Sequence, residues 1–186
     1  MSWVGLCWGM KWMWSPLVDR LPLPFLTRIL GRRRAWLLFS QIGLVLAIVW
    51  MALINPKESL STMAYAALAT AFFGATQDIA MDAYRIESGS ETEQAAFAAA
   101  YQMGYRLAMI WSGAGALAIA AYAESVGLPS WKIAYLVMAG SVSVGIVTTL
   151  LSPKEIVEIQ DKTEYDGFVS WVYRAACLPF IEFFRR

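Results

Sequence analysis

The sequence contains no histidine. That absence removes imidazole acid–base catalysis, histidine metal ligation and any Ser-His-Asp triad. Cysteine is nearly as scarce. Cys7 and Cys177 are too few and too far apart for a disulfide framework or a metal site, and they read as ordinary apolar thiols. No cofactor is implied. Only 16% of the residues are charged, against roughly 25% in a soluble domain. The net charge of +1 gives no bulk attraction to nucleic acid. The opening MSWVGLCWGMKWMW lacks both the basic stretch and the small-residue cleavage site of a signal peptide.

Apolar residues are abundant: 59% of the chain is hydrophobic, gathered into runs with most charges between them. A helix needs about 20 apolar residues to cross about 30 Å of hydrocarbon. Five runs meet or approach that length: 2–18 (interrupted by Lys11), 35–54, 60–86 (apolar until Asp78), 95–123 (interrupted by Arg106) and 133–151. The expected fold is therefore all-α, a polytopic membrane bundle of five transmembrane helices. The breaks agree. Asn55-Pro56 ends the second run, a polar stretch with Gly89 separates the third from the fourth, Gly127 and Pro129 precede the fifth, and Ser152-Pro153 follows it.

Alternate loops of such a bundle lie on opposite sides of the membrane. Eleven Lys and Arg residues then share one side, among them Arg20, Arg28, Arg32, Arg33, Arg34, Arg85 and Lys154, while Lys57 and Lys132 stand on the other. That bias makes the first side cytoplasmic and puts the C-terminus inside. The odd number of spans puts the N-terminus outside, so a further helix is expected upstream. In the fourth run small residues recur every four positions: Ala96, Ala100, Gly104, Ala108, Ser112, Ala116 and Ala120. Such a stripe lets helix backbones approach closely in lipid, so this helix is expected inside the bundle. The stretch 153–186 is expected to be a cytoplasmic linker. Phe168, Trp171, Val172 and Ala175 at helical spacing read as an amphipathic helix lying at the interface.

Ionised groups inside spans are costly, and are paired or functional. Asp78 and Asp82 lie four apart on one helix face, with Arg85 three further on. Both carboxylates are candidate proton carriers, Asp78 first because it lies deeper. The alternative for Asp82 and Arg85 is a salt-bridged helix end. Gln77 precedes this row as a candidate polar contact. Arg106 sits about 16 Å along its helix, near the midplane, where it either neutralises a buried acid or grips an anionic substrate group. Lys11 lies about 12 Å from the Asp19 end of its own run. By depth, Lys11, Asp78 and Arg106 are expected to meet in one cavity. Asp19, Arg20, Arg32 and Arg33, with Arg85, are candidates for a charge relay or gate, beyond their part in setting orientation.

Several of these segments resemble a known family. WSPLVDR (14–20) followed by GRRRAWLL (31–38) is similar to the loop between the second and third helices of major facilitators. ATQDIAMDAYR (75–85) and GYRLAM (104–109) resemble the AmpG group more specifically. That group imports peptidoglycan-derived anhydro-muropeptides across the bacterial inner membrane. The resemblance covers about residues 3–151 and implies that the five spans match the second to sixth helices, in the N-terminal half, of a proton-coupled symporter. It also implies a small-molecule muropeptide substrate, protons as the coupled ion and the lipid bilayer as surroundings. The ten residues LPLPFLTRIL lengthen the facilitator loop. The family's first helix and second half have no counterpart here, and because alternating access needs two halves, the chain alone is not expected to transport. Two other readings stand beside this one: a same-fold permease for another bulky anion such as a coenzyme A ester, and a transport-inactive truncated membrane protein. A membrane enzyme of the CDP-alcohol phosphotransferase type shares an Asp-x-x-x-Asp pair, but its upstream Asp-Gly and Ala-Arg elements are missing between Ala67 and Asp78.

Overall fold

A computed structural model describes residues 3–90 and 92–153. The expected linker and interfacial helix at 154–186 lie outside the described residues, as do the side chains of Trp3 and Arg20. Eight α-helices follow one another among the described residues: α1 (Trp3–Gly9), α2 (Ser15–Arg20), α3 (Leu26–Leu30), α4 (Arg32–Leu53), α5 (Leu60–Glu87), α6 (Gln94–Ile110), α7 (Ala116–Ser125) and α8 (Ser130–Leu151). A single 3-10 turn, Lys11–Met13, joins α1 to α2. A π-helical turn, Trp111–Gly115, makes α6 and α7 one continuous rod.

Among the described residues three helices are long and apolar enough to cross a membrane: Arg32–Leu53, Gln94–Ser125 and Ser130–Leu151. α5 has 28 residues, about 42 Å at 1.5 Å per residue. Its length suffices, but Thr, Ser, Gln77 and two aspartates dilute its apolar character. The expected first span, 2–18, is not one helix. It breaks at Met10 and again at Trp14, on either side of the turn that carries Lys11. Pro16 occupies the first turn of α2, where its missing N–H costs nothing and its ring blocks continuation of the preceding turn.

α4 is the centre of the packing, with α5 on one side and α8 on the other. The α4–α5 seam is made of small residues. Ala47 and Ala52 face Ala66, Ala71, Ala75 and Ala80, all buried, the way helices approach closely where burying oil in oil gains nothing. Gly43 makes the tightest point, because a Cβ there would overlap the Phe73 ring. That ring is held edge-on by Phe39 and Phe72, at centroid distances of 6.0 and 5.6 Å. Gly43→Val should therefore force the two helices apart at a cost of about 1–3 kcal/mol. Unfolding of the chain in mixed micelles, followed by circular dichroism, measures that loss; unchanged stability would show that Phe73 swings away freely.

The α4–α8 seam carries a polar knot. Gln41, 1% exposed, accepts a hydrogen bond from the Thr149 hydroxyl at 3.1 Å. At the arginine-rich end Val18, Trp36, Leu37, Ile79 and Ala80 form a small apolar cluster. The Trp36 indole N–H donates to the Leu21 carbonyl at 2.8 Å, tying the loop 21–31 to α4. The loop turns into α4 at Gly31, whose φ of 90° lies where a side chain would be strained.

The small-residue stripe of the fourth run does not lie inside the bundle. α6 buries no residue, and only Ala120 and Ala123, in α7, are covered, by α8. Two physical reasons account for this. No described helix lies over most of α6. The wider π turn also rotates the later positions out of line with the earlier ones, so that an every-fourth pattern ceases to mark one face.

Candidate functional site

The 3-10 turn that breaks the first run lifts Lys11 toward α5, where its ammonium donates to Asp78 Oδ2 at 2.5 Å. The other carboxylate oxygen, Oδ1, accepts the Tyr101 hydroxyl of α6 at 2.9 Å. Asp78 thus holds three elements together. Its side chain is 19% exposed and that of Lys11 37%. Trp8, on α1, places its ring centroid 6.0 Å from the Lys11 ammonium. Asp82 lies about one turn and Arg85 about two turns beyond Asp78 on α5; Arg85 reaches Asp82 at 3.5 Å and lies over the Tyr101 ring at 5.6 Å from its centroid. Asp78, Asp82 and Arg85 form one row, as the spacing on α5 requires, and Tyr101 joins it from α6. Gln77 stands beside it. Its Oε1 is buried and accepts no hydrogen bond among the described residues.

The expected meeting of Lys11, Asp78 and Arg106 is realised for the first two and not for the third. Arg106 is exposed, with no ion pair among the described residues. It lies five residues beyond Tyr101 on the same helix. That separation is about 140° of rotation and about 7 Å of rise, so a helix that turns Tyr101 onto Asp78 turns Arg106 away. Depth alone placed it at the site; helical phase removes it.

A second constellation lies at the arginine-rich end. Arg33, 8% exposed at its side chain, joins Asp19 at 2.6 Å and Glu87 at 2.6 Å, with both Glu87 oxygens also near its Nε at 3.1 Å. The pair ties α4 to α2 and α5. Arg34, equally buried, donates instead to the carbonyls of Thr149 and Leu150 at 2.9 and 2.7 Å. Arg32 has a buried Nε without an acceptor among the described residues. Arg20 ends α2. Three arginines in the first turn of α4, with no acid there, oppose the helix dipole. Tertiary partners offset that local penalty: carboxylates for Arg33 and a helix C-terminus for Arg34.

Sequence reasoning missed Tyr101, Glu87 and Arg34. A tyrosine in an apolar run carries no signal of its own. Glu87 lies at the polar end of its run, where a carboxylate is ordinary. Arg34 is indistinguishable from its two neighbours until the crossing of α4 and α8 is known.

The chain is similar over nearly its whole length to proteins named as transporters. It is 34% identical over 182 residues to "Putative transporter AmpG 4" of Rickettsia felis, covering 97% of this chain and 42% of that protein. It is 40% identical over 153 residues to the "Anhydromuropeptide permease" of Escherichia coli K12, covering 82% of this chain and 29% of the permease. It is also 40% identical over 109 residues to "Putative transporter AmpG 3" of Rickettsia prowazekii, 58% of this chain and 26% of that one. The chain therefore spans less than half the length of these relatives. No family model matches it, and no solved structure matches it significantly.

Proposed function

We propose that this chain, AmpG-type in sequence over 97% of its length, forms the proton-coupling part of a permease that carries anhydro-muropeptides across a bacterial inner membrane. One observation carries the coupling: a carboxylate, Asp78, set among apolar helices between a lysine and a tyrosine. Ionisable groups at membrane depth mark ion pathways and proton relays. Lys11 stabilises the charged carboxylate. A proton arriving on Asp78 neutralises it, releases Lys11 and weakens the Tyr101 bond, so the loaded and empty states differ in which helices are tied together. In this reading Arg33, Asp19 and Glu87 close the cytoplasmic end. Asp82 and Arg85 orient the row, while Gln77 and Arg106 are polar groups left for substrate. The relatives' names favour muropeptides over a coenzyme A ester or an enzymatic role.

The test replaces the matching stretch of the Escherichia coli permease with residues from this chain. The chimera is expressed in cells lacking their own permease. Expected is uptake of labelled anhydro-muropeptide that collapses to background when a protonophore dissipates the gradient. Uptake indifferent to the protonophore would remove proton coupling. A chimera that reaches the membrane and takes up nothing would remove the substrate assignment.

A further inference from the structure

The π-helical turn Trp111–Gly115 divides one long rod into two arms in opposite surroundings. Beyond the turn, α7 packs along α8 and buries Ala120 and Ala123. Before it, α6 buries nothing, and Met103, Tyr105, Leu107 and Met109 are all exposed. The turn itself is fastened to α8, the Trp111 indole N–H donating to the Ser141 hydroxyl at 2.9 Å. Helices bend sharply at π turns and at glycines, and this one contains Gly113 and Gly115. At its other end α6 is tied near the loop, where the Gln94 amide donates to the Ile86 and Gly89 carbonyls. Between these ends, among the described residues, the polar tie from α6 to the bundle is Tyr101, with its hydroxyl on Asp78 and its ring under Arg85.

We propose that Tyr101 is a positioning residue that reads the charge of Asp78 and sets the seat of α6, the arm that carries Arg106. The inference rests on Asp78 being the proton site. The groups facing Asp78 are Lys11 from the 3-10 turn and Tyr101 from α6, with Asp82 about one turn and Arg85 about two turns away on α5. A hydroxyl donating to a carboxylate makes a bond about twice as strong as one between neutral groups. When Asp78 is ionised, Tyr101 is held and α6 stays tied to α5 at that one point. When Asp78 takes a proton, the tie slackens and α6 swings about Trp111–Gly115. Arg106, five residues on, moves with it. A proton at one place thereby alters the position of a cation at another, which is a coupling between two sites.

The test uses the full chain in lipid nanodiscs, with Cys7→Ser and Cys177→Ser to clear the background. Spin labels at Met103→Cys on α6 and Leu46→Cys on α4, both exposed, report the seat of the arm by pulsed dipolar spectroscopy. Labels at Leu46→Cys and Val147→Cys, on α4 and α8, serve as the reference pair. Expected is a narrow Met103–Leu46 distribution at pH 8 that broadens and shifts on acidification. Tyr101→Phe keeps the ring under Arg85 and removes only the hydroxyl; it should give the broad distribution at both pH values, as should Asp78→Asn. The reference pair should stay narrow throughout. A Tyr101→Phe distribution identical to the parent's at both pH values would overturn the proposal, and so would equal broadening in the reference pair. These distances need no transport, so their failure leaves the uptake reading standing, while lost protonophore sensitivity would remove the proton coupling on which this inference rests and leave the measured distances unchanged.

Discussion

Asp78→Asn in the chimeric permease should abolish concentrative, proton-driven uptake while the protein still reaches the membrane. The substitution is nearly isosteric. Its amide oxygen offers Tyr101 only the weaker bond between neutral groups, and it carries neither the charge that holds Lys11 nor a proton to release. The expected loss is on the order of 100-fold, the upper end of typical couplings between sites. A purely structural ion pair predicts something different. Removing one partner of a buried pair is costly because the other charge is stranded, whereas replacing both by neutral groups is often tolerated. The double variant Lys11→Met/Asp78→Asn separates the two cases. If the pair only holds α5 to the turn at Lys11, the double variant should recover uptake that the single variant lost. If Asp78 carries the proton, both should be equally inactive. Undiminished uptake by Asp78→Asn from pH 5 to 8 would take Asp78 out of the mechanism. Lys11 is 37% exposed at its side chain, so stranding it costs less than stranding a fully buried charge. A large uptake defect with little loss of stability is accordingly the outcome that points to function.

How much of this was legible beforehand depended on whether a feature is local. The runs at 35–54 and 133–151 coincide with the helices α4 and α8, each of which starts three residues earlier, because Gly31, Pro56, Pro129 and Pro153 punctuate the chain there. The run at 60–86 became α5, started by Ser59, whose hydroxyl accepts the Thr62 N–H. The first run misled, since hydropathy records what is apolar and not whether a helix is continuous there. Its breaks at Met10 and Trp14 free Lys11 to reach a partner 67 residues away. The Asp78–Asp82–Arg85 row was readable from spacing, because a helix fixes it. The partners from other helices were not, because Tyr101 and Glu87 meet their acceptor or donor only through crossing angles. Arg106 shows the complementary error: rise along a helix was known, and rotation about it relative to Asp78 was not.

The three consecutive arginines of α4 look alike in sequence and differ in what the fold asks of them. Arg34 is 5% exposed and its guanidinium faces the end of α8, where the last carbonyls have no partner within their own helix. It supplies a hydrogen bond each to Thr149 and Leu150 and puts a full positive charge at the negative end of the helix dipole. Arg34→Ala should cost about 1–3 kcal/mol, since the buried Thr149 carbonyl is left unpaired, while the Leu150 carbonyl is only part-buried and can return toward water. Arg34→Lys keeps the charge but not the fork, so it should satisfy one carbonyl and lose roughly half as much. Arg33→Ala should cost less, about 1 kcal/mol, because its partners Asp19 and Glu87 are 44% and 37% exposed and can return to water. That Arg34→Ala is destabilised more than either Arg34→Lys or Arg33→Ala is measurable by unfolding the chain in mixed micelles. Hydrogen exchange at 145–152 should rise in the first two variants only. The reverse order would place the structural anchor at the carboxylates. The expected order leaves Arg33 with bonds weak enough to break and remake during a transport cycle, beside an arginine whose bonds stay made.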